Sequence, residues 1–527
     1  MRLSKRINRY KSYLINLIVP AVIFGFVTGT LTAIFVTLYK LCAKHIISFS
    51  ATGYAFFREN PQFLPLVVAS LFLISIALAA LFKLYPNVKG GGIPTSVGIL
   101  RGLITFKWLR SLIGVFTLSL VSFLIGVPVG NEGPSVQMGT SIGRGGVYLF
   151  AKRHRAWDRY SMTGGACAGF SVATGAPISG ILFAIEEAHQ RISPTIMIMA
   201  SSTVLFSNIA AQIFSPILGV STKLFENLNV RELELSSLWI PVIIGLAVGI
   251  IGALLLKYYQ FISKLFNKRL SRVKNYYKIF IVLILTVCMG LISFSTVSTG
   301  HDLIHLLLEG NYAISGLVLI LLVRSTLTFS ANSSGVTGGM FIPILALGAI
   351  VSSVVGKMML GLGVGAELYS TIVVLGIIAC LSGIMKSPLT AIVFAIEAME
   401  CHNNIIAVII VSVLAYLLTE MIETKSINDT AMEYRIEQMN EGKSPSVVDT
   451  YVTVMSGSFA VGKQIRDIFW PANLFVLSVR KARDVNEDVD GHGGKALSTG
   501  DILHIQYSTY DEDDTKLQLE YIVGKQI

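Results

Sequence analysis

Charged residues are scarce in this sequence. Asp, Glu, Lys and Arg make up 14% of its 527 residues, whereas 53% are apolar, and a soluble domain carries about a quarter charged residues. A water-soluble fold is therefore excluded for most of the chain. Apolar runs of spanning or near-spanning length cover residues 14–41, 63–82, 112–127, 238–256, 279–294, 317–323 and 372–381. A membrane helix needs about 20 residues, and helices broken by Gly or Pro are tolerated at membrane depth only where they line an enclosed cavity.

Cysteine is also rare, and its five positions have no paired or metal-ligand spacing. Four of the five lie in apolar segments, which is typical of packing residues. His301 and His305 have a zinc-helix spacing, but Asp302 stands where the metalloprotease pattern needs Glu, and no third ligand is evident. We expect a polar helix between spans there, no metal or cofactor, and no enzyme activity, because the acidic residues have neither a nucleophile nor a metal cluster beside them.

Positive charge is in excess, with a net charge of +11, and it clusters in residues 2–11, 152–159 and 257–278. The positive-inside rule places such loops in the cytoplasm. No aromatic-rich basic groove accompanies them, so they indicate topology rather than nucleic-acid binding. The first apolar segment lacks a small-residue cleavage site and is predicted to be retained.

The most unusual stretch is residues 130–139, which sets a carboxylate, Glu132, within a glycine-rich turn. A lone Glu at membrane depth is expensive and indicates function. Flanking glycines allow close approach of the backbone, and Pro134 is well placed in the first turn of a helix. The N–H groups of that turn are a ready anion site.

Three further stretches repeat this theme. Residues 89–94 and 334–343 are glycine-rich breaks before a proline and a new helix, and residues 176–188 share a Pro, Ile, Phe-Ala-Ile-Glu pattern with 387–399. Taken singly, the first break fits a flexible connector, and the acidic residues that end 176–188 fit a solvated helix end. An internal repeat with broken helices at corresponding positions indicates a transporter site near the midplane, although the sequence leaves open whether the repeat is inverted.

The membrane pattern ends near Asn428. We interpret residues 1–435 as the transmembrane domain, 436–450 as a polar linker and 451–527 as a small soluble α+β domain. Residues 458–468 are predicted to form a capped amphipathic helix, and 474–479 and 502–507 to form strands.

The chain resembles the CLC chloride channels and chloride/proton antiporters over roughly residues 10–435. Gly90 to Pro94 is similar to the family's GSGIP motif, Gly130 to Pro134 to GREGP, Gly339 to Pro343 to GxFxP, and Pro177 to Glu187 to the helix that ends in paired glutamates. The resemblance implies an all-α polytopic membrane protein with an inverted repeat of broken helices. It also implies a homodimer with a separate pore in each subunit.

The resemblance also assigns residues. Glu132 matches the gating glutamate, which competes with the anion, and Glu187 matches the internal glutamate that passes protons in antiporters. The implied anion-binding positions are Gly91, Gly92, Ile93, Asn131, Gly133, Met340, Phe341 and Asn428. Three of these depart from the pattern, because Gly91 replaces a serine, Asn131 an arginine, and Asn428 a tyrosine. The fluoride-exporting branch also alters the serine and carries an Asn beside the gating glutamate.

Residues 452–527 resemble the RCK_C (TrkA-C) module of potassium-transport regulators through residues 458–468, the turn at 471–473 and Gly500-Asp501. Such modules dimerise, and some bind cyclic di-AMP, so the domain at 451–527 implies either a cyclic dinucleotide partner or a dimerisation role without ligand. Eukaryotic CLC members carry CBS domains here instead, which favours a bacterial source.

These features predict a proton-coupled chloride antiporter in the cell membrane, with its C-terminal domain in the cytoplasm. A fluoride/proton antiporter and an uncoupled chloride channel are the alternatives, and Glu187 argues against the channel. An intramembrane enzyme would need a nucleophile or metal cluster. A membrane sensor with vestigial transport would bind a ligand without any flux.

Overall fold

The structure is a computed structural model, and it describes residues 2–150, 152–226, 228–482, 488–490 and 496–525. Helices dominate the described part of the chain up to residue 439. The first half contains α1 (Arg2–Glu59), α2 (Leu64–Leu84), α3 (Ile93–Leu100), α4 (Trp108–Ile125), α5 (Glu132–Phe150), α6 (Asp158–Thr174), α7 (Pro177–Phe183) and α8 (Pro194–Ile217). Helix α7 continues as one turn of π-helix over Ala184–His189.

The second half has the same mixture of long and short helices. It contains α9 (Trp239–Lys264), α10 (Asn275–Ile292), α11 (His301–Leu308), α12 (Ile314–Ser334), α13 (Phe341–Gly361), α14 (Tyr369–Met385), α15 (Pro388–Ala398), α16 (Ile405–Met421) and α17 (Ile427–Met439). Gly126, Gly175 and Gly335 end α4, α6 and α12 in the left-handed conformation, which glycine adopts without a steric penalty.

Ten helices within the described residues are long and apolar enough to cross a membrane. The multi-pass prediction is confirmed, and each of the seven apolar runs falls largely within one of these helices. Three spans lie outside the predicted runs, namely α8, α13 and α16. Polar and glycine residues interrupt α8 and α13, and this shortens the apolar runs that the sequence displays.

Two separate hydrophobic cores organise the described residues. The larger core unites the helices of the membrane part. The smaller belongs to a four-stranded antiparallel sheet and α18 (Glu512–Val523). The strands are β1 (Ser446–Thr453), β2 (Leu474–Arg480), β3 (Asp488–Asp490) and β4 (Ile502–Thr509), in the order β1-β4-β2-β3. The predicted strands correspond to β2 and β4, and the small α+β domain is confirmed.

The helix predicted at residues 458–468 is wrong. The segment is a chain of turns with a single 3-10 turn, Ile465–Asp467. Gly457 and Gly462 have φ values of 73° and 82°, which a right-handed helix does not accommodate. The N–H of Ala460 donates to Ile522 O at 3.0 Å and that of Gly462 to Leu497 O at 2.8 Å, so long-range partners take the donors that a helix would use.

The segment predicted as a linker, 436–450, belongs largely to regular elements. Its beginning completes α17 and its end opens β1, so the connection within the described structure is short. Most of the polar residues that suggested a linker are exposed, and they lie on α17, on β1 and in the connection at 440–445.

Candidate functional site

Three glycine-rich turns meet at the centre of the membrane part. Gly130 and Gly339 exchange two backbone hydrogen bonds, of 2.7 and 2.8 Å, and so join the turn before α5 to the turn before α13 in antiparallel fashion. A Cβ added to Gly133 would lie 2.7 Å from Gly339 Cα and 3.1 Å from Gly92 Cα. Only glycine allows three backbones to approach this closely, and the contact brings the N-termini of α3, α5 and α13 together.

Glu132 lies at this junction and is fully buried. Its side chain folds back over its own turn and lies beside Gly130. A Cβ added to Gly130 would lie 2.5 Å from Glu132 Oε2 and would also contact Ile342 and Pro343 in the first turn of α13. Among the described residues, no side chain donates a hydrogen bond to either carboxylate oxygen, and the backbone N–H groups of Glu132 and Ile342 interact with the carboxylate. A buried carboxylate is costly, and the positive ends of the α5 and α13 dipoles stabilise negative charge at this place.

The turn before α3 has a polar neighbour that the sequence did not identify. Gln137, one turn into α5, accepts a 2.7 Å hydrogen bond from the N–H of Gly92 and donates to Asn87 O at 2.7 Å and Ser111 Oγ at 3.1 Å. The amide of Gly92, an expected anion donor, is therefore bonded to a side chain in this conformation. Gln137 lies within the glycine-rich motif, where its polar side chain in an apolar helix was the available signal.

The surroundings of Gly91 explain why position 91 has no side chain. Its φ is 34°, and an added Cβ would lie 3.0 Å from Thr337 Cγ2. Thr337 is fixed by a 2.8 Å hydrogen bond from its hydroxyl to Val88 O. The space for a larger side chain at position 91 is thus taken by Thr337, and the site here consists of backbone groups and the Thr337 methyl group.

The other expected anion-site residues lie around the same junction. Ile93 opens α3, and Met340 and Phe341 open α13; all three are buried. The Phe341 ring makes edge contacts with Phe170 and Phe394, with ring centroids 5.2 and 5.3 Å apart. Asn131 has a buried Oδ1 without a hydrogen-bond partner among the described residues.

Glu187 occupies a different environment, on the π-helical turn after α7. Its side chain is 9% exposed, and its Oε1 accepts a short hydrogen bond from Asn428 Nδ2. Arg101 fixes the backbone of this turn by donating to Glu187 O at 2.9 Å and Ala188 O at 3.0 Å. The structure therefore unites two predicted residues, Glu187 and Asn428, as one hydrogen-bonded pair.

This pair faces a cavity of about 470 Å³ with a strongly charged lining. The other charged lining residues are Arg101, Glu186, Lys386, Glu420, Lys425, Asp429 and Glu433. A cavity of mixed charge that admits water would allow proton exchange with a buried carboxyl group.

Glu186, the other member of the glutamate pair, has a structural role. Its carboxylate accepts hydrogen bonds from the N–H groups of Leu389 and Thr390 and from Thr390 Oγ1, at 2.9, 2.7 and 2.6 Å. Glu397 accepts the same three bonds from Ile178 and Ser179, at 2.8 to 2.9 Å. Each repeat thus caps the first turn of the other repeat's helix, an exchange that a two-fold relation between the halves produces.

Replacing Glu186 or Glu397 by alanine should destabilise the fold. Each change leaves helix N–H groups without their acceptor, and losing a helix cap costs about 1 kcal/mol. Thermal unfolding of the purified protein measures the effect, with Glu441→Ala, an exposed position just after α17, as the matched control. Equal unfolding temperatures for all three variants would contradict the role of these caps.

The histidine pair lies on α11, between spans. His301 stacks on Phe225, with ring centroids 5.4 Å apart, and its Nε2 lies 2.8 Å from Leu224 O. In the described part of the chain, no group of three or more His, Cys, Asp or Glu residues is placed to hold a metal ion.

The sequence is similar to a family of membrane transport proteins. The family model described as voltage gated chloride channel matches residues 71–420. An H(+)/Cl(-) exchange transporter ClcA of Citrobacter koseri is 29% identical over 69% of this chain and 77% of its own length. The ClcA of Klebsiella pneumoniae subsp. pneumoniae is 28% identical over 69% and 78%.

Solved structures share the fold. A slow cyanobacterial Cl-/H+ antiporter has a TM-score of 0.71 and 25% identity, covering 81% of this chain and 99% of its own. A CLC-type fluoride/proton antiporter has a TM-score of 0.62 and 20% identity, covering 78% and 98%. The family model spans well over half of the sequence, and the chain therefore belongs to the voltage gated chloride channel family, the CLC proteins.

Proposed function

We propose that this protein is a proton-coupled chloride antiporter of the cell membrane. The observation that carries the proposal is Glu132, a fully buried carboxyl group without a side-chain hydrogen-bond partner among the described residues, at the junction of three helix N-termini. A second buried carboxyl group, Glu187, lies beside a charged cavity. The names of the two ClcA relatives and the cyanobacterial structure support the same function.

The anion would replace its hydration shell with backbone N–H groups, which supply positive potential without a fixed cation that would hold it too tightly. The N-termini of α3, α5 and α13 provide these groups at Gly91, Gly92, Ile93, Asn131, Gly133, Met340 and Phe341. Gln137 would exchange its hydrogen bond with Gly92 when an anion arrives. Asn428 would act through its hydrogen bond to Glu187.

Glu132 would link anion and proton movement. When its carboxylate occupies the anion site it is charged, and when an anion displaces it, it takes up a proton. Glu187 would supply these protons from the cytoplasmic side, so that the two ions move in opposite directions. Both roles need only a group that changes protonation with its surroundings.

Flux from the purified protein in liposomes tests the function. We expect a chloride gradient to drive proton movement in the opposite direction, recorded with a pH electrode outside the vesicles. Chloride flux without proton movement would mean an uncoupled channel. Ligand binding at the C-terminal domain with no flux of any ion would favour a membrane sensor.

Fluoride is the second candidate ion. Gly91, Asn131 and Asn428 stand at positions where the family commonly has a serine, an arginine and a tyrosine around chloride. The same liposomes loaded with fluoride decide between the two ions. A rate much higher for fluoride than for chloride would reassign the protein as a fluoride/proton antiporter.

Glu187→Gln should slow proton movement and preserve chloride flux. The amide keeps the shape and can still bond with Asn428 but cannot carry a proton. We expect at least about a hundredfold loss of proton movement, the lower range for removing a proton-transfer group. Glu59→Gln, at the exposed end of α1, is the control. Full proton coupling in Glu187→Gln would assign the proton path to another residue.

The remaining assignments concern assembly. Apolar side chains are exposed on α7, α8, α15 and α16, namely Ile178, Leu205, Ile209, Ile213, Leu389, Ile406, Ile409 and Leu417. These four helices form the face on which two subunits would join, each with its own pore in residues 1–435.

The domain at 451–527, after the junction at 436–450, would be a cytoplasmic RCK_C-type regulatory module. A thermal shift of the full-length protein with cyclic di-AMP would support a cyclic dinucleotide site, and an unchanged unfolding temperature would favour dimerisation alone.

A further inference from the structure

Phe469 belongs to the C-terminal domain in sequence but to the membrane domain in packing. It is 4% exposed and forms part of the larger hydrophobic core rather than the core of the small sheet. Its ring centroid lies 4.3 Å from that of Tyr160 and 4.4 Å from that of His189. The guanidinium carbons of Arg159 and Arg191 lie 5.1 and 4.8 Å from the same centroid. Cation–π attraction to two guanidinium groups stabilises this buried ring in its position.

Backbone hydrogen bonds fix Phe469 on both sides. Tyr160 is fully buried; its hydroxyl donates to Asp467 O at 2.7 Å and accepts from the N–H of Phe469 at 3.2 Å. Arg159 donates to Trp470 O, and Arg191 to Ile468 O at 3.4 Å. Four consecutive residues of the C-terminal domain, 467–470, are therefore held by side chains of the membrane domain.

The residues that contact Phe469 also contact, or belong to, the elements that carry the candidate site. Arg159 donates twice to Leu100 O, at 3.0 and 2.6 Å, and Leu100 is the last residue of α3, whose first turn faces Glu132's helix. His189 is the last residue of the π-helical turn that carries Glu187, and its Nε2 lies 2.8 Å from Thr163 Oγ1. Phe469 is thus linked through Arg159 to the last residue of α3 and contacts His189, the last residue of the π-helical turn, directly.

We propose that Phe469 is a positioning residue for Glu187, and that docking of the C-terminal domain through it holds the π-helical turn in the arrangement that passes protons. The proposal rests on the proposed antiport function. A π-helical turn has poorer hydrogen-bond geometry than an α-helix and is common at functional sites, so its conformation depends on the groups packed against its end. Arg101 holds the turn through hydrogen bonds to Glu187 O and Ala188 O. Phe469 packs against His189, the last residue of the turn.

The test compares full-length Phe469→Ala with Phe475→Ala in liposomes. Phe475 is a matched control, since it is an aromatic residue of the same domain that is 64% exposed on β2. We expect Phe469→Ala to lower the number of protons moved per chloride by roughly fivefold or more. Fivefold is about the smallest effect that one site in a protein typically has on another when the two are coupled. The ratio is the decisive readout, because a smaller folded fraction lowers both fluxes equally and leaves the ratio unchanged.

Two conservative variants keep the test open if Phe469→Ala does not fold. Phe469→Leu retains apolar volume without the cation–ring contacts, and Tyr160→Phe removes only the hydroxyl that bonds residues 467 and 469. Both should shift the ratio in the same direction by a smaller factor. A wild-type ratio in both variants would overturn the proposal.

A readout independent of antiport separates the two proposals. Hydrogen exchange of the segment 184–189 should accelerate in Phe469→Leu and stay at the wild-type rate in Phe475→Ala. If wild-type protein moves no protons, the antiport function fails, and accelerated exchange would still support docking. Unchanged exchange in Phe469→Leu would overturn the positioning role whatever ion the protein carries.

Discussion

Glu132→Gln should abolish proton movement and preserve chloride flux, a loss of the coupled reaction by several orders of magnitude. The side chain is buried at the junction of three helix N-termini, where, on the proposed mechanism, its charge would compete directly with an anion. Glutamine keeps the volume but never gains or loses a proton, and the anion no longer has to displace a charge. The measurement is chloride and proton flux from the same liposomes.

The control for this prediction is Glu59→Gln, which makes the same chemical change on an exposed surface. It should behave as the wild type in both fluxes. Persistent proton pumping in Glu132→Gln would refute the coupling mechanism, while loss of both fluxes would show that the carboxylate is needed for anion passage itself.

Gly133→Ala should have the second large effect, with loss of transport and of stability together. The added methyl group would lie 2.7 Å from Gly339 Cα and 3.1 Å from Gly92 Cα. Backbone on two sides cannot move aside as a flexible side chain can, and overpacking of this kind costs about 1–3 kcal/mol or more. Flux and thermal unfolding of the purified protein measure the two consequences.

Gly53→Ala is the matched control, because Gly53 lies within helix α1 and nothing is within 4 Å of the added methyl group. That variant should transport and unfold as the wild type does, or unfold at a slightly higher temperature, since alanine favours helix. A stable, active Gly133→Ala would show that the three turns separate more easily than their packing indicates.

Local chemistry explains why the sequence predicted the helix starts of the site. The turns before Ile93, Pro134 and Phe341 combine glycines with a proline in the first helical turn, and the helices begin at residues 93, 132 and 341. Glycine frees the backbone and proline presets the helical φ, so neighbours in sequence determine these starts. The repeated Phe-Ala-Ile-Glu pattern likewise predicted two related helices, which are α7 and α15.

Long-range contacts explain what the sequence did not predict. Taken singly, the acidic residues that end 176–188 fit a solvated helix end, yet Glu186 caps α15, far along the chain. The pairing of Asn428 with Glu187 depends on how α17 packs. The non-helical course of 458–468 depends on acceptors at Leu497 and Ile522. None of these partners can be inferred from local periodicity.

The bridge between Gly130 and Gly339 also has a consequence for how the protein is made. Each half contributes one strand-like turn, so neither half of the chain contains an assembled transport centre by itself. During synthesis, the first half enters the membrane with Glu132 not yet enclosed by the turn around Gly339, and a carboxyl group in that position is expensive. Until the second half arrives, this group is therefore expected to be more stable hydrated or protonated than as a bare carboxylate in the bilayer.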